Sequence, residues 1–255
     1  MPRILKASIW RTGPEPTLLN LIDVNPHFLC PSSPNQIISV EPNMSFMQGA
    51  GAKGLAPCKR YIATHDASGK SVYAESPEQQ FGVVPGVGGF ARSFSVDSVP
   101  ANLTDEADIK AYRAEEGPTS YTRREIVNPE PGANLLVIDL EPGAVSAMHR
   151  TVSIDFSICV QGSIDHELDG GEKVRLNPGV GGADRDNVLF VLIMINDHIV
   201  QRGTNHRWSN PSKEKPARFV AVTLPCKPFD IPGFGQLEEV HIPSDEWDKK
   251  AKASL

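Results

Sequence analysis

Two stretches constrain this chain more than any others: residues 142–162, PGAVSAMHRTVSIDFSICVQG, and residues 201–210, QRGTNHRWSN. In the first, a Pro-Gly turn leads into a mixed apolar and polar run ending on His149. After a short break a second run opens at Asp155 and closes at Gly162. The pattern predicts a β-hairpin with polar groups on its inner face. His149 and Asp155 are an even number of residues apart, so in extended chain both project to one side, as two ligands of one site must. His206 in the second stretch adds a third donor. Two imidazoles and one carboxylate make the facial set that holds Fe(II) and related divalent ions with positions left open for substrate or oxygen.

A chain of 255 residues buries a full single-domain core, but 22 Pro and 21 Gly with only 40% hydrophobic residues imply many turns and some loose chain. One domain with extensions is the expected plan. The net charge of −6 provides no basic face, which disfavours nucleic-acid and anionic-membrane partners and leaves a small molecule as the expected one. Cys30, Cys58, Cys159 and Cys226 lie far apart with no C-x-x-C pair, so the reading is free thiols in a reducing compartment. The most hydrophobic stretch, Val188 to Ile195, is too short to span a bilayer. A soluble cytoplasmic protein is expected.

In chain order, residues 1–55 hold repeated prolines and no sustained period, and read as a poorly ordered extension. Met44 and Met47 leave room for a later start codon. Residues 59–76 form two short alternating runs around DASGK, a hairpin signal with His65 at its tip, where a solvated side chain is expected. Residues 92–100 alternate like a strand. Residues 104–116 read as a short surface helix capped by Thr104 or Asp105. Residues 119–127 read as a strand that carries Arg123 or Arg124 towards the core, and ANLLVIDL at 133–140 as a buried strand. Beyond Gly162, SIDHELDGGEKVRL forms a hairpin around Asp-Gly-Gly, with His166 expected on the solvent face. Short, evenly spaced strands with Gly and Asn/Asp turns predict an all-β fold, a double-sheet jelly roll.

The first stretch resembles the leading motif of the cupin superfamily, G-x5-H-x-H-x3,4-E-x6-G, through Gly143, His149, Thr151, Asp155 and Gly162. Thr151 stands where many cupins have a second histidine, and Asp155 where they have glutamate. Gly203, His206 and Asn210 match the end of the second motif, G-x2-H-x3-N. The combination looks like the small single-domain cupins of bacteria and of fungal secondary-metabolite clusters, over about Lys59 to Leu224. The resemblance implies a double-stranded β-helix domain over 56–232 and a C-terminal tail over 233–255. Relative to the cupin pattern, residues 180–196 are inserted, either as an extra buried strand or as a gene-model error such as a retained intron.

On this reading His149, Asp155 and His206 hold a divalent metal, Fe(II) first with Mn, Ni or Zn as alternatives. Thr151, Trp208 and Asn210 line the substrate pocket. Arg150 and Arg202, of opposite parity to the ligands, face outward. The function implied is a metal-dependent oxidoreductase or dioxygenase acting on a polyketide-type intermediate. The alternatives are a decarboxylase, isomerase or dehydratase, and a non-catalytic small-molecule-binding cupin. Jelly rolls of this size commonly cover an exposed sheet edge with a second copy, so a homodimer is expected, with the 59–76 hairpin crossing to the partner.

Overall fold

Burial alternates along residues 153–161, with Ser153, Asp155, Ser157 and Cys159 turned in and Phe156 and Ile158 turned out, as in a strand with one face on a core. The computed structural model, which describes residues 46–48, 51–84, 86–123, 125–127, 131–179, 196–233 and 235–242, builds almost all of its regular structure from such strands. They are β1 (Phe46–Gln48), β2 (Ile62–His65), β3 (Ser71–Ala74), β4 (Gln80–Val84), β5 (Gly88–Val96), β6 (Ala133–Leu140), β7 (Met148–Arg150) and β8 (Ser153–Gln161). After them come β9 (Ile164–Leu168), β10 (Lys173–Leu176), β11 (His198–Arg202), β12 (His206–Ser209), β13 (Ala217–Pro225), β14 (Asp230–Ile231), β15 (Gly235–Gln236) and β16 (Val240–Ile242). One helix, α1 (Ala107–Arg113), interrupts the series.

Among the described residues two large antiparallel sheets result, one in the order β1-β4-β5-β6-β13-β8-β11 and the other β10-β9-β12-β7-β16, with β2–β3 and β14–β15 as separate two-stranded pairs. This is the jelly roll expected from the sequence, a double-stranded β-helix. Leu136, Leu140, Cys159, Phe219 and Ala221 of the large sheet meet Ile164, Leu176 and Trp208 of the small one to form the core between them. Phe219 stacks on Trp208 with ring centroids 4.6 Å apart, a contact that adds about 0.5–1.5 kcal/mol beyond the buried area. Gly162, the closing glycine of the first motif, has φ of 70°, and a side chain there would meet the Pro216 carbonyl at 2.8 Å, so the turn from β8 to β9 demands glycine.

The outer face of the large sheet is covered over β5 and β6 by residues 51–74 and α1, while Phe156, Ile158 and Val200 of β8 and β11 stay exposed. Ile62 and Ala74 of the β2–β3 hairpin pack with Ile109 and Tyr112 of α1 against Phe94. The hairpin therefore seals its own sheet through Ile62, while Tyr61 and Tyr73 form an exposed ring pair. Residues 51–58 cover Asp139, which is fully buried. Arg218 donates to it from Nε at 2.6 Å and from its terminal nitrogen at 2.8 Å, and the Ala52 backbone N–H adds a bond of 2.9 Å. A Cβ on Gly51 would fall 1.6 Å from the Asp139 carboxylate oxygen. Gly51→Ala is accordingly expected to reduce stability by about 1–3 kcal/mol through overpacking, measurable as a lower urea midpoint. An unchanged midpoint would mean that this segment does not hold the carboxylate.

Several expectations need correction. Residues 142–162 do not form a hairpin: β7 pairs with β12 and β16, β8 pairs with β13 and β11, and the chain crosses from one sheet to the other between Arg150 and Ser153. The described residues of 119–127 form turns, not a strand. The buried Arg92 guanidinium draws the loop in by donating to the carbonyls of Pro118, Ser120 and Glu125, which takes up backbone groups a ladder would need. Arg123 pairs with Glu125, and Arg124 lies outside the described residues. Neither Thr104 nor Asp105 caps α1. Both sit in a preceding 3-10 turn, and Glu106 at the cap position turns its carboxylate to the Thr64 hydroxyl at 2.9 Å. Within segments read as extension and tail, Phe46–Gln48 pairs with β4 and Val240–Ile242 with β7. Residues 1–45 and 180–195 lie outside the described residues.

Candidate functional site

Inside the jelly roll the apolar core gives way to a polar layer built from two cross-strand rows. On the small sheet His206 of β12 stands directly opposite His149 of β7, which stands directly opposite His241 of β16. Directly opposed residues project to one face, so all three imidazoles share the face turned to the large sheet. On the large sheet Gln201 of β11 is opposite Asp155 of β8, and Asp155 is opposite Thr223 of β13.

The His149 and His206 rings lie 4.2 Å apart by centroid. Each has its Nδ1 against a backbone carbonyl, His149 at 2.9 Å from Ala147 and His206 at 3.1 Å from Thr204. A carbonyl only accepts, so each Nδ1 carries the proton and each Nε2 the lone pair, the tautomer that metal-ligating histidines adopt, and on His206 that lone pair accepts from the Gln201 amide at 2.8 Å. Burial lowers the pKa of both. His206 falls to about 2, from desolvation first and the neighbouring His149 second. Asp155 is 7% exposed, and its Oδ1 has no hydrogen-bond partner. Desolvation raises this carboxyl to about 6, against a hydrogen bond from Ser153 that lowers it.

The structure thus brings together two of the three expected donors and sets the third across from them on the other sheet. Among the described residues, no three His, Cys, Asp or Glu side chains close on one point. The orphaned Asp155 oxygen and the paired Nε2 lone pairs are the donor types that suit a divalent ion. Thr151 follows β7 and shares a hydrogen bond of 2.7 Å with the Ser153 hydroxyl. Trp208 is both wall and core: it meets His206 edge-on, at 85°, and stacks on Phe219. Asn210 is no pocket residue. Its side-chain nitrogen donates to the carbonyls of Leu140, Glu141 and Lys215, and its oxygen accepts from the Ser212 N–H, so it braces a loop. Arg202 is exposed, as its parity predicts, and so is His65.

Three residues of this layer escape the sequence reading. His166 is 2% exposed rather than on the solvent face, because Ile164, His166 and Leu168 share one parity and Ile164 belongs to the core. Its ring stacks on His206 at 5.1 Å, and its Nε2 lies 2.6 Å from the Gln201 side-chain oxygen. Gln201, 3% exposed, sets its amide nitrogen 2.7 and 2.8 Å from the two ring nitrogens of His206 and so links the sheets. Its odd spacing from His206, by parity alone, conceals this contact. His241 belongs to no motif.

No family model matches the chain. It is 35% identical over 196 residues to the phomopsin biosynthesis cluster protein C' of Diaporthe leptostromiformis, covering 74% of this chain and 90% of that one. To the oryzines biosynthesis cluster protein J of Aspergillus oryzae it is 31% identical over 188 residues, 71% of this chain and 90% of that one. The cupin-domain-containing oxidoreductase srdB of Neurospora crassa is 29% identical over 212 residues, 79% of this chain and 94% of that one. Among solved structures, a double-stranded β-helix protein from Klebsiella pneumoniae is 17% identical over 44% of this chain and 76% of that one, with a TM-score of 0.30.

Proposed function

Because the chain belongs to the cupin-domain proteins of fungal secondary-metabolite clusters, we propose that it is a metal-dependent oxidoreductase acting on a small organic intermediate of polyketide type. His149, His206 and Asp155 would hold the divalent ion, Fe(II) in the first instance. The observation that carries this reading is the buried, unpartnered Asp155 oxygen on one sheet together with two adjacent imidazoles on the other, each with its Nδ1 against a backbone carbonyl. A charge-capable oxygen left without a partner in an apolar setting is unfavourable unless something there satisfies it.

A bound divalent ion would supply Lewis acidity towards a substrate carbonyl, or an open position for oxygen. The protein's own residues do the rest. The backbone carbonyls of Ala147 and Thr204 hold the two imidazoles in the donor tautomer. Trp208 and Phe219 exclude water behind them. Asp155, raised to about 6 by desolvation in the metal-free protein, is ionised at neutral pH and so in the form that would coordinate the ion.

Purified protein is expected to bind about one equivalent of Fe(II) or another divalent ion per chain, with affinity falling at least ~10-fold in His206→Ala. Isothermal titration of metal-free protein measures this, and oxygen uptake with cluster intermediates then separates oxidation from other chemistry. Absence of stoichiometric binding across Fe(II), Mn(II), Ni(II) and Zn(II) would end the metal reading.

A further inference from the structure

The two cupin motifs account for His149, Asp155 and His206 but leave Thr151 where a second histidine is usual, one nitrogen donor short. The fold offers a replacement from an unexpected quarter. Beyond the jelly roll proper, the chain returns along the free edge of β7 as β16, and the register sets His241 opposite His149, on the side away from His206. The three imidazoles therefore form one continuous row across three strands. His241 stands 6.4 Å from His149 by ring centroid, against 4.2 Å for the His149–His206 pair, and it is exposed where His149 is half-buried and His206 buried.

The geometry points to His241 as a further ligand of the site, delivered by the C-terminal strand in place of the histidine missing at Thr151, an inference that rests on the metal-binding reading above. With it the donor count returns to three imidazoles and one carboxylate. The wider spacing means that His241 is not in place beforehand: an exposed side chain must swing inward from an edge strand of three residues. Binding the ion would then tie β16 down against β7. The C-terminal strand becomes a strap fastened by the ligand it helps to hold, and only the paired register of Val240–Ile242 with Met148–Arg150 is needed to aim it.

The test uses the full chain, metal-free, titrated with Co(II) and Zn(II), and compares wild type with His241→Ala, His206→Ala and the double variant His241→Ala/Thr151→His. His241→Ala is expected to weaken Co(II) binding by roughly 10–100-fold and to change the visible absorption of the Co(II) form. The thermal midpoint of the metal-free protein should stay unchanged, since an exposed side chain is removed. Thr151→His in that background should restore most of the affinity. Hydrogen exchange supplies a readout independent of affinity, because backbone amides of 240–242 should gain protection on Co(II) loading in wild type and not in His241→Ala. Wild-type affinity and spectrum in His241→Ala, with exchange at 240–242 indifferent to metal, would overturn the assignment while leaving His149 and His206 in place. Failure of wild type to bind either ion would instead remove the metal reading and this ligand with it.

Discussion

Replacing Asp139 with alanine is expected to lower the free energy of unfolding by about 3–5 kcal/mol, because it leaves the Arg218 guanidinium buried without its counter-charge. Asp139 is fully buried and Arg218 nearly so, joined by two bonds of 2.6 and 2.8 Å. A third Arg218 nitrogen donates to the Ala56 carbonyl at 2.8 Å. The same substitution frees the Ala52 N–H, so the loss combines an unpaired charge with an unsatisfied backbone donor. Urea unfolding of the single variant and of Asp139→Leu/Arg218→Met distinguishes the pair's attraction from the penalty of breaking it. The double variant should recover much of the loss, since two apolar side chains leave no charge stranded. A single variant within about 1 kcal/mol of wild type would mean that water reaches the guanidinium, contrary to the burial described.

Acid should destabilise the metal-free fold through the imidazole layer. His206 has a folded pKa near 2, below its ordinary value of 6.5, so under pH 6.5 the unfolded chain binds a proton that the folded one refuses. Stability from this group is complete above 6.5 and is lost as pH falls, by about 2 kcal/mol at pH 5 at 1.36 kcal/mol per unit. His149 and His166, both lowered by burial, act in the same direction. Asp155 opposes them. Its folded pKa of about 6 exceeds the ordinary 3.8, so the fold gains a proton first and recovers about 1 kcal/mol between pH 7 and 5. Three groups outweigh one, and the urea midpoint should fall between pH 7 and 5. His206→Asn should flatten that slope, and a midpoint that rises on acidification would show that Asp155 dominates.

What the sequence made legible follows the range of the interactions involved. β6 matches the predicted 133–140 residue for residue, because an apolar run bounded by turns depends only on local pattern. The hairpins β2–β3 and β9–β10 were equally plain from their Asp-Gly and Ser-Gly turns, the first pinned by Asp66, whose carboxylate accepts the Ser68 and Lys70 N–H groups. His149 and His206 were found through motif spacing, and their pairing in register is what that spacing encodes. Parity failed where the chain changed sheet. His149 and Asp155 lie on different sheets rather than along one strand, and even separation holds meaning only within a strand. The interior place of His166 was readable from its parity with Ile164. His241 was not: its neighbour is set by a strand pairing 92 residues away in sequence, for which a three-residue run carries no local sign.

The crossing between Arg150 and Ser153 has a further consequence for how the molecule behaves when loaded. A ligand held jointly by His149 and Asp155, as the metal-binding proposal requires, would have partners only six residues apart in the chain, yet would form its full set of contacts only when two separate sheets have docked. The small sheet holds the imidazoles and the large one the carboxylate. Saturation therefore acts on the docking step itself: free ligand at 100 times its dissociation constant would add about 2.7 kcal/mol to the docked state and nothing to either sheet apart. The spacing between the sheets, set by Leu136, Phe219 and Trp208 deeper in the core, becomes the dimension that tunes affinity. A cavity made among those residues would loosen the grip on the ligand without touching a single donor atom.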